Sequence, residues 1–157
     1  MSQGTQAVVS LRRDGGPTGR AVLAFLLRLG LGGLFMLAGF LKARDPSRFA
    51  LEISNYQLMR EGVSAVAAML PAIEIVAGLA LVVLPRPWRH AAATLIGIML
   101  AMFTVAVGSA YFRGINIDCG CFGGAEAPIT GLTLLRNLGL LAAAGLTVWL
   151  DTPRSRR

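Results

Sequence analysis

Four apolar stretches of about twenty residues each dominate this chain, at residues 21–41, 63–84, 91–112 and 129–150. As helix, about twenty residues cross the roughly 30 Å of hydrocarbon in a bilayer. A backbone in lipid must satisfy its own polar groups, so a chain with four such stretches is restricted to a helical bundle. The expected class is therefore all-α, a polytopic membrane protein built as a four-transmembrane-helix bundle. Only 15% of the 157 residues are charged, fewer than a soluble domain carries.

The net charge of +7 would point to nucleic acid in a soluble protein. Here the basic residues gather at the termini and in the loops, where they set topology, and few polar side chains remain to read bases. No nucleic-acid partner is expected; the principal partner is the lipid bilayer. Arg12, Arg13, Arg20, Arg86, Arg89, Arg154, Arg156 and Arg157 fall on one side of the membrane, against Lys42, Arg44, Arg48, Arg60 and Arg113 on the other. This bias predicts both termini in the cytoplasm of a bacterial inner membrane. The first stretch is too long for the apolar core of a signal peptide, and no A-x-A site follows it, so it is read as a retained helix. Residues 1–18 form a Gly- and polar-rich flexible tail, 19–152 the membrane domain and 153–157 a basic C-terminal tail.

Between the first two spans, Phe49, Ile53, Tyr56 and Met59 recur every three or four residues. This predicts a short amphipathic helix from Pro46 to Arg60, lying on the membrane surface or over the bundle. The glycines at 30, 32, 33, 39, 78, 139 and 145 suit close helix packing without a wide aqueous pore.

The two cysteines, Cys119 and Cys121, flank Gly120 in the loop between the last two spans. On the predicted outer face a disulfide can form and persist. A Cys-X-Cys ring closes only if the middle residue bends, which Gly120 permits. Such a ring closes almost no chain, so it stabilises little and suits reversible chemistry better than a staple. Asp118 is expected to raise the pKa of its neighbour Cys119, and Arg113 and the start of the fourth span to lower that of one thiol; which effect prevails stays open. The sequence leaves open which thiol attacks. Two inert packed thiols are the bland alternative. A zinc site needs about four ligands, and His90, the single histidine, is predicted on the opposite face, so no metal is expected.

Ionisable groups inside a bilayer face the bundle interior and have partners. Arg28 in the first span and Glu74 in the second lie at similar predicted depths, which suggests an intramembrane Arg28–Glu74 pair, with Pro71 kinking the helix nearby. Arg136 and Asn137 lie about two turns below the outer end of the fourth span, beneath the cysteines. Arg136 there can hold a quinone carbonyl, stabilise a thiolate, pair with Glu74 or cap the loop. No covalently bound cofactor is expected; a quinone is the candidate carrier.

The chain carries Arg28-x-Gly30, Ala38-Gly39-Phe40-Leu41-Lys42, Asp45-Pro46, Asn55-Tyr56, Leu70-Pro71-x-x-Glu74, Asp118-Cys119-Gly120-Cys121-Phe122-Gly123 and Arg136-Asn137. In these features it resembles the MauE branch of the DoxX-like redox-associated membrane proteins. The resemblance implies a four-helix inner-membrane protein of the kind used in methylamine utilisation, assisting maturation of a disulfide-rich subunit alongside a periplasmic thioredoxin-like partner. The leading expectation is a membrane thiol–disulfide redox protein. Two alternatives stand beside it: a non-catalytic anchor or assembly subunit of a redox complex, and a small transporter using Glu74 and Arg28.

Overall fold

A computed structural model describes residues 19–59, 61–115 and 130–152. It is all-helical over these residues: α1 spans Gly19–Arg44, α2 Pro46–Asn55, α3 Val63–Val83, α4 Trp88–Phe112 and α5 Gly131–Asp151. The four long helices are each apolar and long enough to cross a membrane, and the chain is a multi-pass membrane protein. The expected four-helix bundle with a short helix after the first span is what forms. The two terminal tails lie outside the described residues.

The helix boundaries follow from local chemistry. Pro46 bars its predecessor from helical angles, so α1 stops before Asp45. Asp45 then caps α2, its side chain accepting from the Arg48 backbone N–H at 2.9 Å. α2 ends at Asn55, shorter than the expected 46–60, because the chain turns at Gln57 with a positive φ. At the other end of the bundle, residues 84–87 carry two prolines and join α3 to α4.

The long helices form a ring in the order α1, α3, α4, α5, each antiparallel to its neighbours, and α2 lies across one end against α3 and α1. Of the two placements that the sequence left open for α2, the one over the bundle is observed. The α1–α3 seam is the tightest. A Cβ added at Gly32 would stand 2.8 Å from the Gly78 carbonyl oxygen, and one at Gly78 would stand 2.6 Å from that of Gly32. Higher up, a Cβ at Gly39 would stand 2.6 Å from the Pro71 oxygen. In lipid, where apolar side chains gain little by leaving the solvent, such close backbone contact is what joins helices.

Leu31, Phe35, Leu81, Ile96, Met99 and Leu100 fill the centre of the ring. Large apolar side chains such as Val76, Met102 and Val105 point outward and are mostly exposed, as lipid contact requires. Near the chain termini the Arg20 guanidinium sits 4.7 Å from the centre of the Trp149 ring and ties the start of α1 to the end of α5.

The seam makes an asymmetric glycine series. Gly78→Ala drives a methyl group into backbone and is expected to destabilise by about 1–3 kcal/mol. Gly139→Ala meets nothing within 4 Å and is expected to be neutral or slightly stabilising. Thermal unfolding of the two variants in detergent micelles checks the contrast.

Candidate intramembrane site

Helical side chains lean toward their own helix N-terminus. α1 and α3 run antiparallel, so Lys42 on α1 leans down into the bundle while Glu74 on α3 leans up. They meet as an ion pair of 2.5 Å, with both side chains buried. Lys42 Nζ also lies 4.9 Å from the centre of the Phe103 ring and 5.2 Å from that of Phe49, so its charge is held between two aromatic faces and a carboxylate.

The expected Arg28–Glu74 pair does not form. Gly32 faces Gly78 and Gly39 faces Pro71, which sets Arg28 about two turns from Glu74 along the seam. The two side chains also lean apart. Arg28 instead pairs with Asp151 at the end of α5, and Arg89 Nε approaches the other Asp151 oxygen at 3.5 Å. A carboxylate at a helix C-terminus opposes the helix dipole, and two guanidinium groups offset this at a buried position. This cluster joins α1, α4 and α5 at the end that carries the chain termini.

A cavity of about 270 Å³ opens between α2 and the bundle. Its walls are almost wholly apolar. The buried polar groups in its lining are Lys42, Glu52, Glu74 and Asn137. The apolar face read from the α2 sequence roofs it through Phe49, Ile53 and Tyr56, with Met59 following. Among the described residues, two buried polar atoms in its lining lack a hydrogen-bond partner: Glu74 Oε2 and Asn137 Nδ2. Unpaired buried polar atoms are rare and call for a reason.

The other candidate residues divide clearly. Arg113 donates from one terminal nitrogen to the Tyr56 carbonyl at 2.5 Å and from Nε to the Ser109 carbonyl at 3.2 Å, so it ties the end of α2 to the end of α4. Pro71 is buried in α3 against Gly39. Arg136 and Asn137 separate by the turn of the helix: Asn137 is buried in the cavity wall, and Arg136 is exposed and outside it. Asp118, Cys119, Gly120 and Cys121 lie outside the described residues. The residues that bracket their segment, Ile115 and Thr130, are at the α2 end of the bundle.

In the sequence Lys42 and Arg89 read as loop charges and Asp151 stands one residue beyond the fourth apolar stretch, yet all three enter ion pairs. The available signal was an acidic residue closing a span whose neighbours at that end are basic.

Removing one member of a buried ion pair leaves a lone charge, at a cost of about 3–5 kcal/mol. Lys42→Met and Glu74→Leu are each expected to destabilise by that order. The double variant is expected to recover most of the loss, as denaturant titration in micelles would show.

The model of one family, described as methylamine utilisation protein MauE, matches residues 20–150, from the start of α1 to the last turn of α5. No curated protein and no solved structure matches the chain. The match takes in both buried ion pairs except Asp151 itself, the cavity wall and the Cys-Gly-Cys segment, and the chain belongs to the MauE family.

Proposed function

We propose that this protein is a membrane thiol–disulfide redox protein. Cys119 and Cys121 exchange disulfides with a periplasmic thioredoxin-like partner and so support maturation of disulfide-containing proteins. Electrons pass to or from a lipid-soluble carrier such as a quinone. The observation that carries this reading is topological. The segment with both thiols joins α4 to α5 at the end of the bundle where α2 and the cavity lie, all within the family match.

The Lys/Arg bias puts that end on the outer face of the inner membrane, where thiols meet oxidising conditions. The Arg113 clamp on Tyr56 steadies α2 beside the point where this segment leaves α4. In the exchange a partner thiolate attacks the Cys119–Cys121 disulfide, one of these sulfurs leaves as thiolate, and the partner's second thiol resolves the mixed disulfide, so the partner leaves oxidised and the pair is left as two thiols. The two cysteines thus carry the electron pair from the partner toward the carrier. A non-catalytic assembly subunit would instead keep its function with neither thiol.

In intact cells a membrane-impermeant maleimide is expected to label both cysteines only after reduction. Labelling that appears only after lysis, with or without reductant, would place the thiols on the wrong face and end the mechanism. Full partner maturation in the Cys119→Ser/Cys121→Ser variant would favour the assembly role.

A further inference from the structure

We infer that the cavity beneath α2 binds the head of a lipid-soluble quinone, with Asn137 donating to a ring carbonyl and Glu74 accepting from the hydroxyl of the reduced form. The redox use of this site rests on the proposed thiol chemistry; the binding site itself does not.

Three observations converge. The first is access. Among the lining residues Leu58, Met59 and Met102 are well exposed, so the cavity reaches an apolar surface of the bundle that lipid covers. A ligand dissolved in the bilayer can enter without crossing water. The second is shape and character. About 270 Å³ lies near the lower end of the roughly 300–1,000 Å³ typical of small-molecule sites, and such sites are apolar with a few convergent polar groups. A planar ring suits walls built from Phe35, Phe103 and Met99.

The third is the orphaned pair of polar atoms. Asn137 is 3% exposed and Glu74 1%, yet among the described residues Nδ2 of one and Oε2 of the other have no partner. One is a donor and the other an acceptor. An aliphatic tail would satisfy neither. A quinone carbonyl takes the Asn137 hydrogen bond, and a quinol hydroxyl gives one to Glu74. Lys42, held at Glu74 and between two rings, places a positive charge near the oxygen that gains electron density on reduction. The acceptor site thus falls on Asn137 and the Lys42–Glu74 pair, one helical position away from Arg136.

The step balances. When two thiols become a disulfide, an S–S bond forms, two S–H bonds break, and two electrons and two protons leave. The quinone takes up both electrons and both protons and becomes the quinol, so the dithiol is oxidised as the carrier is reduced.

The test is saturable binding to the full chain in phosphatidylcholine nanodiscs, measured against empty nanodiscs. The probes are a decyl-substituted benzoquinone and, in a parallel arm, an alkyl naphthoquinone, which together identify the head accepted. Asn137→Leu is expected to weaken binding by about threefold to tenfold, the loss of one hydrogen bond. Ala106→Phe, which fills the cavity without removing a polar group, is expected to abolish it. Decylbenzene, with the same tail and no carbonyl, is expected not to compete. Absence of saturable binding for both probes overturns the inference. Unchanged affinity in both variants, or equal competition by decylbenzene, also overturns it.

The Cys119→Ser/Cys121→Ser variant separates the two claims. Quinone binding there, alongside failed thiol trapping in the native chain, keeps the site and rejects the thiol mechanism. Successful trapping without quinone binding rejects the site alone.

Discussion

A lysine and a glutamate buried against each other between membrane helices govern much of this architecture. Away from water each charge alone would be costly, so the fold must keep the two together. That requirement bears on the α1–α3 seam, because Lys42 reaches Glu74 only when the two helices pack closely. Gly39 against Pro71 and Gly32 against Gly78 allow that approach. Phe49 and Phe103 then close around the cation, which draws α2 and α4 into the same site.

The two ends of the bundle use charge differently. At the end with the chain termini, Asp151 meets two arginines from two other helices, and the cluster acts as a clamp. At the α2 end the carboxylate has, among the described residues, a single cationic partner and one oxygen left over in the cavity lining. A closed cluster holds helices together. An open one, in an apolar chamber, is what the proposed ligand site rests on.

Much of the fold was legible because the bilayer simplifies the problem. Four stretches of sufficient length must be helices, and successive crossings of one membrane run in opposite directions, so consecutive spans are antiparallel. The α2 helix was legible from its apolar spacing, although its end was not, since the turn at Gln57 depends on one residue's backbone angle. The ion pairs were not legible because depth along a helix says nothing of side-chain direction. Arg28 and Glu74 have similar counts from their helix ends, but their side chains lean apart, and a one-residue overshoot past the fourth stretch hid Asp151. Asn137 was noted with Arg136, and nothing in the order of two adjacent residues says which of them faces inward.

The sequence by itself determined the number of spans, their helical state, the presence of two thiols in one short segment, and the residues that mark the MauE family. These depend on hydrophobicity and local spacing, which read directly from residue order. Only the tertiary structure decided which charge meets which, that α2 roofs the bundle, and that a chamber with an unpaired donor and acceptor lies beneath it. Those depend on the register of α1 against α3 and on the rotation of α5 about its axis. The first is set by close backbone contact across the α1–α3 seam and the second by which face of α5 is buried, and neither partner of such a contact is named by residue order alone.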